Sequence, residues 1–532
     1  MLEKTENVSA NELWFKKLKV FKWAAWVLLA ASFMLISFYL TVRFERNYII
    51  GTIILSGLIE FIFIIKTWDE FMEYVQKHFP VLIIYFCAAL AIVLEMYMEK
   101  GYPNIDRTCY PFPFLGIHIF RLRWFALTVP ALFYMLIWIW RKVSGFVSDF
   151  WGDLDETDRK LYLGLTTVLS IVVLIEYTTN TLWFSQDDLI YSIDSGFCYE
   201  TIIRFGYYDI RHPIMSIITF PVWAVIHMVL QWFVPTQLLA TLCAICLQWL
   251  NVQAILLVGF MIKKITGNRW VLMIYLASSP VLLFIMFLEK YQLAVLLLVL
   301  YVYQTCRGKK NAEGEMILAA GTMTTSGFLY VYELFRKGSI VSKIKRIIKI
   351  LIQGVSLLIC SGRIHLLNLA ILYAEVKSMT NIFVERYSIK NCFFSLTKLI
   401  HGVFLGLTSE AKGDYMWEDV LDRPSIVGMV FLAIIMLGIL VNFREQFVKL
   451  CVIWGSAAII LFCVIQWGVY ESPLFSVYFA WAFIPMFQKG FQFIIEKLHW
   501  KENIAYFSLI IPMFIVNLVN MMDIGKYLRA LL

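Results

Sequence analysis

Asp187 and Asp188 stand side by side just past an apolar stretch, Leu161 to Thr181, and Arg211, His212 and Pro213 open the next apolar run. A carboxylate at the edge of a low-dielectric layer, with a second one beside it, holds its proton more readily than in water. That makes Asp187 or Asp188 a candidate general base toward an acceptor hydroxyl. Arginine presents a two-pronged donor to phosphate oxygens, and a cation there offsets the charge developing on a phosphate leaving group. The pairing suits transfer chemistry on a phosphate-bearing lipid. Each group also has a plain structural reading. Ser185 and Asp188 have the spacing of a capping box, and acids in a first helical turn offset the helix dipole. Arg211 and His212 can equally anchor the start of an interfacial helix, with Pro213 at its first position.

Four further residues are candidates for holding substrate. Glu289 and Tyr291 flank Lys290 in an expected tight turn on the same face as the aspartates, where an ordinary solvated turn is the alternative. Arg363 and His365 lie in the outer third of an expected apolar span, 347–373. Ionisable groups at that depth are costly and mark function by default, although an arginine can also snorkel to the headgroups. Glu471, Arg386, Lys398 and His401 are weaker external candidates. No metal-ligand spacing is present among the ten cysteines. Cys243 and Cys246 form a CxxC, but inside an apolar helix, where small core residues are the expected use. A divalent metal is not indicated. Cys109, Cys198 and Cys392 are expected outside, which leaves one disulfide pairing open.

The elements that must carry these groups are membrane helices. Of 532 residues, 61% are hydrophobic and only 16% charged, whereas soluble domains average about 25% charged. Apolar runs of roughly 18 residues or more recur along the chain, each enough to cross a hydrocarbon core. The expected fold is all-α, a polytopic transmembrane bundle of about 12–14 helices with extracytoplasmic loops and interfacial helices. The alternating pattern of an outer-membrane barrel is missing. The net charge of +8 suits basic loops facing anionic lipid, not nucleic acid.

Loop cations set the expected topology. Spans at 20–42, 47–66, 79–97 and 124–142 return the chain to the cytosol at a charged loop, Arg141 to Lys160, with a cytoplasmic N-terminus. The span 161–181 then delivers both aspartates to the extracytoplasmic face. The stretch 213–234 is expected to lie in the interface or re-enter, followed by a span at 237–262 and a hairpin of 270–287 with 291–305. The segment 315–334 is read as broken half-helices, and 391–406 as a helix lying on the membrane. Spans at 425–442, 448–469, 474–488 and 504–522 complete the chain. Three regions result: an accessory four-helix module, 1–160, a core, 161–500, and a last helix, 501–532.

An acidic pair just outside an outward-running helix, followed by Asp209-Ile210-Arg211-His212-Pro213-Ile214-Met215, resembles the GT-C superfamily of integral membrane glycosyltransferases. Aminoarabinose transferases and protein O-mannosyltransferases are examples. The resemblance covers about residues 161–500, and it departs in carrying Asp-Asp for Asp-Glu and one proline after the histidine. It implies an inverting transfer of a sugar from a polyprenyl-phosphate donor, on the extracytoplasmic face of a cell membrane, to an envelope glycan, lipid or protein. Asp187 or Asp188 would then be the base, with Arg211, His212 and Arg363 holding the lipid phosphate. The rival readings are a flippase or transporter of lipid-linked sugars, and a polymerase or ligase acting on them.

Overall fold

The computed structural model describes residues 22–44, 49–98, 126–186, 193–207, 211–309, 312–336, 338–368, 389–406, 423–464 and 472–531. Every regular element among them is helical. Six helices are long and apolar enough to cross a membrane: Lys22–Thr41, Ile49–Lys77, Phe79–Met98, Glu156–Thr179, Thr236–Thr266 and Glu502–Ala530. A seventh span forms if Arg269–Ala277 and Ser279–Met286 are counted together. The chain is a helical membrane protein. Two other expected spans are short among the described residues, Tyr291–Cys306 and Ile426–Asn442, as is Met215–Leu230 in the stretch expected to lie in the interface or re-enter.

The chain divides into two compact units, residues 1–154 with 355–367, and residues 155–354 with 368–532. In the first, Lys22–Phe44, Ile49–Lys77 and Val129–Asp153 enclose an aromatic core of Trp26, Phe33, Trp68 and Tyr134. Their rings meet edge to face, with Phe33 and Tyr134 centred 6.3 Å apart, an arrangement worth about 0.5–1.5 kcal/mol beyond burial. The Tyr134 hydroxyl shares a 2.7 Å hydrogen bond with that of Thr67.

The second unit is built around Thr236–Thr266 and Ser472–Lys497, whose residues from Phe475 to Phe487 are nearly all buried. Polar pairs tie its helices together. Lys263 of Thr236–Thr266 is ion-paired with buried Asp158 of Glu156–Thr179. Glycines let backbones meet: a Cβ on Gly438 would run into the Met486 carbonyl, and one on Gly490 into the Ile434 carbonyl. Small residues of this kind are how membrane helices approach closely.

Several expected boundaries are corrected. The charged stretch from Arg141 is not a loop, because Val129–Asp153 runs through it and stops only at Leu154 before the Asp155 N-cap. No proline interrupts it, and Arg141 is held by Glu70 at 2.8 Å. The expected span 270–287 bends by 58° at Ser278, where Pro280 opens the next helix and cannot continue the preceding hydrogen-bond ladder. The expected span 347–373 is not one helix, since Ile340–Cys360 ends there and Gly362 takes a left-handed φ of +71°. Ile389–Phe404, read as a surface helix, buries Leu399, Ile400, Val403 and Phe404, with Phe404 against Phe431 and Phe487. The segment 315–334 does break, at extended Met323 between Glu313–Thr322 and a 3-10 stretch, Thr324–Val331.

Candidate functional site

The break at Met323 positions the basic motif. Arg211–Ile214 lies alongside 321–324: the Ile214 amide donates to the Gly321 carbonyl at 3.0 Å, and the Thr324 amide to the Arg211 carbonyl at 3.0 Å. Helix unwinding exposes those backbone groups, and they must find partners. The His212 ring joins in, with Nδ1 2.6 Å from the Thr322 carbonyl oxygen. A carbonyl only accepts, so Nδ1 carries hydrogen and the other ring nitrogen, Nε2, faces away from that bond. His212 is buried.

A second unwound stretch faces this one. Ser279–Met286 ends with free helix-end carbonyls, and side chains of neighbouring helices satisfy them. Gln248 Nε2 donates to the Phe284 and Ile285 carbonyls at 2.8 and 2.7 Å, and the Tyr177 hydroxyl to that of Met286 at 2.8 Å. Asn251 Nδ2 donates to the Glu289 carbonyl at 2.9 Å. Held this way, residues 287–290 deliver Tyr291 to His212, with ring centroids 5.6 Å apart. Arg211 and Glu289 both act on the Tyr291 phenol electrostatically.

The two stretches line one cleft, whose lining combines Arg211, His212, Tyr291, Thr324 and Thr325 with Met323, Leu461, Phe475, Tyr478 and Phe479. Tyr478 meets Tyr291 with rings 5.1 Å apart. Three expected site residues thus converge from two distant segments. Glu289 is buried and not in a solvated turn, 2% exposed. Its Oε1 accepts from the Asp194 amide at 3.2 Å. Burial pushes the Glu289 carboxyl up to about 7, against the opposing pull of Lys290.

Asp187 and Asp188 lie outside the described residues. The chain on either side of them is tied to this neighbourhood. Gln186 Nε2 donates to the Ile193 carbonyl at 2.9 Å, and the Leu288 amide donates to the Trp183 carbonyl at 3.3 Å. Arg363 and His365 belong to the other compact unit. Arg363 is fully buried there just past a helix end, and burial, helped by Arg363, holds the His365 imidazole below its ordinary value. Among the described residues no group of histidine, cysteine, aspartate and glutamate could hold a metal ion.

Sequence reasoning missed Tyr478, which lies in an apolar run with nothing to distinguish it. It also missed Gln248 and Asn251, although two carboxamides three residues apart in an apolar helix are a legible sign of a polar task. Comparison with family models, with curated proteins and with solved structures finds no match for this chain.

Proposed function

We propose that this chain is an integral membrane glycosyltransferase that moves a sugar from a polyprenyl-phosphate donor to an envelope glycan, lipid or protein. The observation that carries the reading is the cleft that Arg211, His212 and Tyr291 share with the aromatic rings of Phe475, Tyr478 and Phe479. A fixed cation suits the lipid phosphate, through charge-assisted donors worth about 1.5–3 kcal/mol each. Aromatic faces suit a sugar ring or an isoprenoid chain. Asp187 or Asp188 supplies the base, taking the acceptor hydroxyl's proton as that oxygen attacks the anomeric carbon and the polyprenyl phosphate departs.

One observation favours a second reading, a polymerase or ligase of lipid-linked glycans. The described lining of the cleft holds an arginine and a histidine but no carboxylate. Transfer assays on the full-length protein in lipid nanodiscs, with a polyprenyl-phosphate sugar and candidate acceptors, separate the two. Under the transferase reading Asp187→Asn or Asp188→Asn lowers turnover by roughly 10²–10⁴-fold, and Arg211→Ala raises the donor KM by roughly 10–100-fold. Full transfer by both aspartate variants removes the base. Unchanged donor kinetics in Arg211→Ala removes the phosphate grip.

A further inference from the structure

The first unit carries an acid where hydrocarbon is expected. Glu60 lies within the apolar helix Ile49–Lys77 and is 6% exposed. The Ser37 hydroxyl of Lys22–Phe44 sits 2.6 Å from Glu60 Oε1 and 2.8 Å from the Cys360 carbonyl oxygen. A hydroxyl owns one hydrogen, and a backbone carbonyl can only accept. With an ionised Glu60, two acceptors would compete for that hydrogen, and one short contact would set lone pair against lone pair. A protonated Glu60 satisfies both: it donates to Ser37 Oγ, which donates to the Cys360 carbonyl. A separate observation agrees. Glu60 Oε2 is buried with no hydrogen-bond partner among the described residues, and an anionic oxygen left so would carry the full cost of lost hydration.

We propose that Glu60 is a proton-binding site within the membrane region, and that its bound proton heads a two-bond relay through Ser37 to Cys360. The relay has something to fasten. Cys360 ends Ile340–Cys360, and Gly362 follows so close to the first helix that a Cβ would lie 2.7 Å from the Leu40 carbonyl carbon and the Thr41 nitrogen. Thr41 in turn donates to the Ser37 carbonyl at 2.6 Å. The 360–363 turn, with Arg363 fully buried, is therefore pinned to the helix that bears Ser37. The groups facing Glu60 are the Ser37 hydroxyl on the first helix and, on the returning segment, the Cys360 thiol. Removing the proton turns the Ser37 hydrogen toward the carboxylate, strips the Cys360 carbonyl of its donor and unfastens the turn.

Infrared spectra of the full-length protein in lipid nanodiscs at neutral pH test this. A protonated carboxyl has a C=O stretch well separated from that of a carboxylate, and Glu60→Gln is expected to remove one such band. Identical wild-type and Glu60→Gln spectra in that region overturn the proposal. Should Glu60→Gln fail to fold, Ser37→Ala reads the same group, because loss of the acceptor shifts the acid's band; an unshifted region also overturns it. Amide exchange at Gly362 and Arg363 reads the fastening. It is expected to quicken in Ser37→Ala and to stay unchanged in Glu60→Gln, whose carboxamide donates in place of the acid. Unaltered exchange in Ser37→Ala discards the latch.

Discussion

His212 and Glu289 serve one cleft by different means. His212 is oriented by a backbone carbonyl, its Nδ1 hydrogen on Thr322. Glu289 is buried, accepts from the Asp194 amide and acts on the Tyr291 phenol electrostatically. Burial lifts its carboxyl from 4.5 to about 7, and the sign of the linkage follows. The folded state binds this proton more tightly than the unfolded chain. Its stabilising contribution is full below about 4.5, fades as pH rises toward 7 and is gone above that. Glu289→Gln is expected to flatten this part of the profile in detergent-solubilised protein followed by thermal unfolding between pH 4 and 8 (about that range, set by the two values). An unaltered slope would mean that Glu289 is charged in the folded state. Arg211, His212 and Tyr291 were legible as candidates from residue types alone. The depth of Glu289 was not, because a Glu-Lys-Tyr turn looks solvated until Gln248 and Asn251 are seen to cover it.

Among the elements, close helix crossings and broken helices matter most. Gly438 and Gly490 face each other's helices where Ile426–Asn442 crosses Ser472–Lys497. Gly490→Leu must push the backbones apart there, and we expect a loss of at least about 1–3 kcal/mol, the usual cost of overpacking, read as a lower unfolding midpoint. Wild-type behaviour would show that the crossing gives way freely. The Lys263–Asp158 pair joins two other helices. Lys263→Met leaves the buried aspartate alone and should cost about 3–5 kcal/mol, while adding Asp158→Leu should restore much of it. Equal loss in the single and double variants would show that packing, not charge, is what Lys263 provides. Helix positions followed well from apolar runs, and so did the break within 315–334, whereas the breaks at Ser278 and after Cys360 did not. Pro280 and Gly362 are visible in the chain, but Pro221, Pro485 and Pro512 sit within helices that continue, so proline alone does not mark a break.

At the scale of the molecule, composition and apolar run length were enough to establish a helical membrane protein, because a chain so apolar satisfies its backbone in lipid only as helices or a closed barrel, and the alternation of a barrel is missing. The residue types that could do chemistry were legible for the same reason, as each ionisable group in such a chain stands out. Which of them meet was decided elsewhere. Arg211 and Tyr291 share a cleft because the backbone unwinds at Met323 and after Met286. The stretch after Met286 survives because Gln248, Asn251 and Tyr177, distant in the chain, satisfy its carbonyls, and the one at Met323 because the Arg211–Ile214 backbone and His212 do the same. The return of residues 355–367, Arg363 among them, to the first unit is likewise invisible to local pattern. Periodicity and polarity are properties of neighbouring residues, so the chain alone specifies helices and their apolar faces. Pairing a bare carbonyl with a donor dozens of residues off depends on packing, and only the folded structure settles it.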